Sequence, residues 1–160
     1  VDAARDLPGA TFVINGDGAA AATLREQASS SPNVRFTGYQ PKSRVPEVLA
    51  TGDIHLVPLR RGLGRVSVPS KTYSILAAGR PVLAAIDPGT EVPRMLAASG
   101  GGVAVPPDEL EDFCAALVTM LADPERCRAM GESARRWVMS AASPAAVAAH
   151  YEQLVAELSR

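Results

Sequence analysis

The chain has 160 residues, of which 47% are hydrophobic and 21% are charged, an ordinary balance for one globular domain. Its 16 basic and 17 acidic residues give a net charge of −1, which argues against a protein whose main ligand is nucleic acid. No uncharged apolar run approaches the roughly 20 residues that a membrane span needs.

The first sixty residues predict strands and helices in alternation. Short apolar and β-branched runs at 11–15, 34–37 and 53–59 predict three strands, the first two of which are closed by glycines. An alanine-rich helix is predicted over 19–29, and a second helix is predicted to begin at Ser43 as its N-cap. Continuous apolar runs of this kind are typical of strands that are buried on both faces.

The same alternation continues to about residue 105. A helix is predicted over 67–79 with Ser67 as its N-cap, followed by a strand over 81–86. A short helix from Thr90 and a strand over 102–105 complete the series. Strands that alternate with helices predict the doubly wound α/β class, a Rossmann-like parallel sheet with helices on both faces.

Beyond residue 106 the apolar spacing changes from that of a strand to that of a helix. Apolar residues recur at i, i+3, i+4 and i+7 over 110–121, which predicts a helix with one buried face. Two more helices are predicted to begin at the Asp-Pro and Ser-Pro pairs of residues 123 and 143, since proline suits the first helical turn. The domain therefore ends in helices.

In a doubly wound sheet, ligands bind beyond the carboxyl ends of the strands, here at 16–18, 38–42, 60–67 and 87–91. The third loop and the helix start after it contain the densest polar cluster, formed by Arg60, Arg61, Gly62, Gly64, Arg65, Ser67, Ser70 and Lys71. Cationic side chains and a helix N-terminus suit phosphate oxygens, and glycines let a ligand approach the backbone. We therefore predict a phosphate-binding loop. The alternative is a solvated basic loop with an ordinary serine cap.

Two other strand-end loops carry weaker signals. Gly16, Asp17 and Gly18 form either a common tight turn or a backbone segment that lies beside a ligand. Tyr39 and Gln40 follow a predicted strand, where an exposed ring and amide either face a nucleobase or belong to an ordinary surface loop. The residues alone do not decide whether either segment contacts a ligand.

The remaining polar residues add no catalytic group. Glu91 stands at the start of a predicted helix, where a carboxylate is favoured with or without a ligand. His55 and His150 have no neighbouring nucleophile or base, and Cys114 and Cys127 lack the spacing of metal ligands. The sequence therefore predicts a pocket for nucleotide and phosphate, with no metal and no cofactor.

Four stretches of the chain, taken in order, resemble a known signature. They read VINGDG at 13–18, NVRFTGY at 33–39, ATGDIHLVPL at 50–59 and SVPSKTYSILAAGRPV at 67–82. They resemble the C-terminal, nucleotide-sugar-binding half of GT-B glycosyltransferases, specifically the retaining group 1 (family four) enzymes. The resemblance covers essentially the whole chain. It implies transfer of a sugar from a nucleoside diphosphate sugar, with a UDP-sugar as first choice, in the synthesis of cell-envelope polysaccharide.

The resemblance also implies positions for the donor. Its diphosphate and sugar correspond to 65–74, its base lies near Tyr39 and Gln40, and the 16–18 loop lies near the cleft. Many members carry two glutamates eight positions apart where this chain has Val66 and Ser74, so Ser74 offers a ribose a hydroxyl but no carboxylate. The predicted donor-binding set is Gly16, Asp17, Gly18, Tyr39, Gln40, Arg60, Arg61, Arg65, Ser67, Val68, Ser70, Lys71, Ser74 and Glu91.

The family pattern further implies parts that lie outside residues 1–160. It places a strand ahead of the present start and an acceptor-binding N-terminal half before that strand. Without that preceding strand, the strands predicted at 11–15 and 53–59 lack a shared neighbour. We therefore expect one donor-binding domain, a fragment that is inactive alone, and a parent enzyme in the cytoplasm with peripheral contact to the inner membrane face.

Two other functions fit parts of the pattern. A nucleotide-sugar 2-epimerase has the same architecture, but it needs catalytic carboxylates and a histidine at the cleft, which the sequence does not place. A flavodoxin-like binding or regulatory module would carry an acidic cluster or a flavin loop after the first strand, where Asp17 stands alone.

Overall fold

A computed structural model describes residues 1–159 of the chain. The strands are β1 (Phe12–Asn15), β2 (Val34–Thr37), β3 (His55–Pro58), β4 (Val82–Ala85) and β5 (Gly102–Val105). The α-helices are α1 (Asp2–Asp6), α2 (Ala21–Gln27), α3 (Val45–Thr51), α4 (Lys71–Ala77), α5 (Glu91–Ser99), α6 (Leu110–Leu121), α7 (Pro124–Ala141) and α8 (Pro144–Leu158). Short 3₁₀ helices at Lys42–Arg44 and Leu63–Arg65 precede α3 and α4. Within residues 1–159, no helix is both long and apolar enough to cross a membrane.

The start of α4 differs from the prediction. The helix predicted from Ser67 begins at Lys71, with Ser70 in the N-cap position. Val68 precedes Pro69, and the residue before a proline is disfavoured in a helical conformation. Ser67 therefore lies ahead of the helix and is not its N-cap.

The start of α3 is shifted in the same direction. The predicted N-cap, Ser43, lies inside the 3₁₀ turn, and α3 begins at Val45 after Arg44 as its N-cap. Pro46 occupies the first turn of α3, where its missing N–H leaves no helical bond unmade. The proline thus selects the helix start two residues later than predicted.

The strands form two parallel sheets, β1–β2 and β3–β4–β5. In the first sheet Phe12 lies opposite Val34, and in the second Val82 lies opposite both His55 and Gly102. The prediction of parallel strands is confirmed. β1 and β3 do not pair within the described residues, as expected for two strands that lack a shared neighbour. Each of these two strands keeps one edge without a neighbour.

β4 is the centre of the core, and its side chains alternate between two clusters. Val82 and Ala84 pack on one face with α4, α5 and α7. Leu83 packs on the other face with Leu117 of α6 and Cys127 of α7. All three β4 side chains are fully buried. Helices therefore cover both faces of this sheet, as predicted.

Asn33 ties the segment after α1 to β2. Its Nδ2 lies 2.9 Å from the carbonyl oxygen of Ala4 and 3.0 Å from those of Leu7 and Ala10. The site is partly buried, so carbonyls that lost this donor would be poorly compensated by water. One side-chain amide thus contacts three backbone carbonyl oxygens between Ala4 and Ala10.

Replacing Asn33 with aspartate is expected to lower the free energy of unfolding by about 2 kcal/mol at pH 7, because a carboxylate cannot donate to these carbonyls. The difference from wild type should shrink near pH 4, where protonation restores one donor. Urea denaturation at both pH values measures the effect. The matched control is Asn15→Asp at an exposed side chain, expected to cost less than about 1 kcal/mol. Equal losses for the two variants would contradict this role.

Candidate functional site

The β3–α4 loop, residues 59–70, folds over the carboxyl end of β4. Asp87 accepts hydrogen bonds from the Gly62 N–H, at 2.9 Å to each carboxylate oxygen, and from the Gly64 N–H at 3.1 Å. Asp87 is only 5% exposed. Hydrogen bonds with one charged partner are stronger than neutral ones. The carboxylate therefore holds the loop against the end of β4.

The same packing explains why two glycines stand in this loop. Gly62 has a φ of 89°, a left-handed conformation that favours glycine. A Cβ on Gly64 would lie 2.8 Å from Cγ1 of Ile86 and 3.1 Å from Oδ2 of Asp87. An internal carboxylate thus takes the place beside these glycines that the sequence interpretation gave to a ligand.

These contacts lower the pKa of the Asp87 carboxyl group below its ordinary value of 3.8. The hydrogen bond from Gly62 is the largest cause, supported by the bond from Gly64 and the charge of Arg65, while burial acts in the opposite direction. Asp87 is therefore ionised at neutral pH. Its loop was one of the predicted ligand loops, but no role was predicted for Asp87 itself. The available signal was its place directly after a buried strand.

Arg61 turns toward the segment that follows β5. Its backbone N–H donates to Oδ2 of Asp108 at 3.1 Å, and its guanidinium donates to the Pro107 carbonyl at 3.1 Å and to Oε1 of Glu109 at 3.0 Å. Asp108 has a φ of 63°, which is uncommon for a residue other than glycine. Arg61 was predicted to contact the donor, and the structure pairs its charge with Glu109.

Arg60, Arg65 and Lys71, here called the cationic patch, carry charge that is not paired in this way. All three are exposed, and none forms a salt bridge with another of residues 1–159. Arg65 ends the 3₁₀ turn and Lys71 begins α4. Three cations with free charge beyond the carboxyl end of β3 can hold phosphate oxygens.

Four more predicted residues border the cationic patch. Ser67 and Val68 are exposed just ahead of α4, and Ser70 is its N-cap without a side-chain capping bond. Ser74 is exposed on α4, three residues after Lys71 and hence on a neighbouring part of the same helix face. These four residues therefore lie in the exposed segment that carries Arg65 and Lys71.

The Gly-Asp-Gly segment follows β1, in the other sheet. Gly16 has a φ of 127°, which favours glycine in this turn, and the Asp17 carboxylate lies 3.4 Å from the Arg25 guanidinium. Gly18 has open space around it. A cavity of about 250 Å³ lies beside all three residues and extends to Leu24 of α2. The segment is a tight turn that also lines a cavity.

Tyr39 and Gln40 follow β2 in the same sheet. The Tyr39 ring is 79% exposed, and Gln40 donates to the Gly38 carbonyl at 3.2 Å. Glu91 is the exposed first residue of α5, whose N-cap position belongs to Thr90. Glu91 is thus not the cap of this helix.

The structure therefore brings the predicted residues to the carboxyl ends of strands, but in two groups. The cationic patch and its serines follow β3, whereas the residues at 16–18 and 39–40 follow β1 and β2. Within the described residues, no strand pairing connects the sheets that carry the two groups.

The described residues show neither a catalytic histidine nor a metal-binding group. The ring of His55 contacts the Leu49 carbonyl through Nε2 at 2.8 Å, and burial lowers the pKa of this histidine. Within residues 1–159, no three His, Cys, Asp or Glu side chains are grouped to hold a metal ion. The arrangement is suited to binding an anion.

Comparisons with known proteins identify the family and the fold of this chain. The family described as Glycosyl transferases group 1 matches residues 1–123. The probable glycosyltransferase WbjE of Pseudomonas aeruginosa is 33% identical over 102 residues, which cover 62% of this chain and 26% of that protein. A GDP-mannose-dependent alpha-(1-6)-phosphatidylinositol monomannoside mannosyltransferase of Mycobacterium tuberculosis is 30% identical over 145 residues. These residues cover 84% of this chain and 36% of that protein. The chain spans about a quarter to a third of the length of these relatives.

Solved structures confirm the predicted fold. Sucrose-phosphate synthase (tll1590) from Thermosynechococcus elongatus superposes with a TM-score of 0.72 at 21% identity, over 91% of this chain and 37% of that one. Anabaena Alr3699/HepE, solved in complex with UDP, superposes with a TM-score of 0.72 at 19% identity. The match covers 99% of this chain and 43% of that one. These matches support a GT-B type fold, and none of the comparisons favours the epimerase or the flavodoxin-like alternative. The chain belongs to the group 1 glycosyl transferases.

Proposed function

We propose that this chain is the donor-binding part of a glycosyltransferase that moves a sugar from a nucleoside diphosphate sugar to an acceptor. The observation that carries the proposal is the cationic patch, three cations beyond the carboxyl end of β3 that form no ion pair with another of residues 1–159. Cations placed where negative charge develops stabilise a transition state more than the ground state. Membership of the group 1 family supports the same class of reaction.

The patch acts on the bond that breaks. As the bond between the anomeric carbon and the diphosphate oxygen lengthens, negative charge accumulates on the departing diphosphate. Arg65 and Lys71 stabilise that charge through charge-assisted hydrogen bonds. The acceptor hydroxyl oxygen forms the new bond to the sugar and gives its proton to the departing diphosphate. We include in the proposal that the sugar keeps its anomeric configuration and that neither a metal ion nor a cofactor is required.

The nucleobase is part of the proposal as well. The Anabaena protein was solved with UDP, and the mycobacterial relative is described as GDP-mannose-dependent. UDP is our first choice and GDP the second. The exposed Tyr39 and the neighbouring Gln40 would face the base, and the cavity at 16–18 would line the donor cleft.

The acceptor and the place of the reaction complete the proposal. Because this chain spans only part of its relatives' length, we assign acceptor binding to another domain and expect the isolated chain to be inactive. A nucleotide donor and the free thiols of Cys114 and Cys127 suit the cytoplasm. One relative is described as a putative colanic acid biosynthesis glycosyl transferase and another as a phosphatidylinositol monomannoside mannosyltransferase. The lipid named in the second description supports peripheral contact with the inner membrane face.

A thermal-shift panel of UDP, GDP, ADP and flavin mononucleotide tests the proposed function on the full-length protein. A ligand that binds the folded state raises the melting temperature. We expect UDP or GDP to raise it and flavin mononucleotide to leave it unchanged. A response to flavin mononucleotide alone would contradict the proposal.

Ser74 offers a test of the ribose contact. Because its side chain is exposed, Ser74→Glu does not bury a carboxylate and should leave the fold intact. Ser74→Ala is expected to weaken UDP binding by about 0.5–1.5 kcal/mol through loss of one neutral hydrogen bond. Ser74→Glu should tighten it, since a carboxylate accepts from both ribose hydroxyls. Calorimetry with UDP measures both changes, and unchanged affinity in both variants would remove Ser74 from the site.

A further inference from the structure

The Gly62 and Gly64 N–H groups converge on one carboxylate, as backbone N–H groups do in sites that bind small anions. Here the anion is part of the protein, since Asp87 occupies the site at 2.9–3.1 Å. These two N–H groups are thus already paired before a ligand arrives. A phosphate bound near the loop cannot use these two N–H groups, and the side chains that could hold it depend on the loop for their positions.

Two anchors hold the β3–α4 loop, and they differ in strength. The ion pair of Arg61 with Glu109 is exposed, and exposed ion pairs contribute little because water competes for them. The bond of Arg61 to the Pro107 carbonyl is partly buried. The Asp87 side chain is buried, its bond from Gly64 is buried and its bonds from Gly62 are partly buried. The Gly64 backbone is packed against Ile86 so closely that a Cβ does not fit. Asp87 is therefore the dominant anchor.

The loop leads directly into the cationic patch. Arg65 is the residue after Gly64, and its positive charge is close enough to help lower the pKa of Asp87. Six residues later Lys71 begins α4. A shift of Gly64 away from Asp87 would move the backbone that carries Arg65.

We propose that Asp87 is a positioning residue for the donor diphosphate, which fixes the β3–α4 loop over the end of β4 so that the cationic patch meets the phosphates. Asp87 itself does not touch the donor. This inference rests on the proposed nucleotide-sugar function and adds to it the residue that sets the geometry of its phosphate contacts.

Asp87→Asn in the full-length protein tests the inference. Asparagine keeps the size of the side chain but replaces one acceptor oxygen with an NH₂ group, which cannot accept from Gly62 or Gly64. We expect the Kd for UDP or GDP, whichever the wild type binds, to rise about tenfold or more. The Kd for the matching nucleoside should change less than about twofold. The matched control is Asp112→Asn on the exposed face of α6, expected to leave both Kd values within about twofold.

The outcomes separate the two proposals. Equal Kd values for the nucleoside diphosphate in Asp87→Asn and wild type would overturn the positioning role, and so would equal losses for nucleoside and nucleoside diphosphate. If the wild type binds neither UDP nor GDP, the proposed function itself is wrong.

A measurement on the wild type keeps the inference testable if Asp87→Asn does not fold. In the ligand-free protein the amide protons of Gly62 and Gly64 should exchange slowly with solvent, because both donate to Asp87. They should keep these bonds when UDP or GDP binds. Rapid exchange without ligand, or transfer of either N–H to a phosphate oxygen, would overturn the role of Asp87.

Discussion

Replacing Gly131 with alanine is expected to lower the free energy of unfolding by about 3 kcal/mol. Gly131 is buried within α7, where this helix crosses the end of α4. An added Cβ would lie 2.0 Å from the carbonyl oxygen of Gly79, and a backbone atom cannot rotate away as a side chain could. The higher helix propensity of alanine offsets only about 1 kcal/mol of this cost.

Urea denaturation followed by fluorescence measures this change, since Trp137 is the only tryptophan and packs against the core that α4 and α7 share. The matched control is Gly9→Ala, where an added Cβ meets no atom within 4 Å, and it should change stability by less than about 0.5 kcal/mol. Wild-type stability of the Gly131 variant would contradict the close helix crossing. The crossing bears on function because α4 carries Lys71 and Ser74.

Arg65→Ala or Lys71→Ala is expected to weaken binding of a nucleoside diphosphate by about 1.5–3 kcal/mol, the range for one charged hydrogen bond. Binding of the nucleoside should change little, because it has no phosphate to contact these cations. Calorimetry with UDP and uridine, and with GDP and guanosine, separates the two contributions. Equal losses for nucleoside and nucleoside diphosphate would contradict a phosphate role.

Two arginines serve as references for this prediction. Arg128 is exposed on α7, outside the strand-end loops, and Arg128→Ala should leave nucleotide affinity within about 0.5 kcal/mol of wild type. Arg61→Ala should cost less than Arg65→Ala, because the Arg61 guanidinium already pairs with Glu109 at 3.0 Å. A larger loss for Arg61 than for Arg65 would mean that Arg61 leaves Glu109 when the donor binds.

Local patterns predicted most of the secondary structure. The ranges 34–37, 102–105 and 110–121 agree with β2, β5 and α6 residue for residue, because glycines, prolines or strong helical periodicity bound each of them. The start of α4 was wrong by four residues, although the position of Val68 before Pro69 carried the information. Local sequence was thus sufficient to predict the bounds of a helix or strand where one conformational rule dominated.

Contacts between distant residues could not be predicted in this way. Asp87 is 25 residues from Gly62, and Arg61 is 48 residues from Glu109, so neither periodicity nor motif spacing connects them. The sequence indicated that the 60–67 and 87–91 loops share an edge of the sheet, but it gave no sign that one would supply the anion held by the other. By contrast, the separation of β1 and β3 agrees with the expectation that these two strands lack a shared neighbour.

The most direct test is the structure of the full-length protein with UDP or GDP bound. We predict that diphosphate oxygens lie about 2.7–3.0 Å from the Arg65 guanidinium or the Lys71 ammonium group, the distance of charge-assisted hydrogen bonds. The Gly62 and Gly64 N–H groups should still donate to Asp87. A diphosphate that binds away from the carboxyl end of β3, with the cationic patch in solvent, would contradict a donor site on this chain.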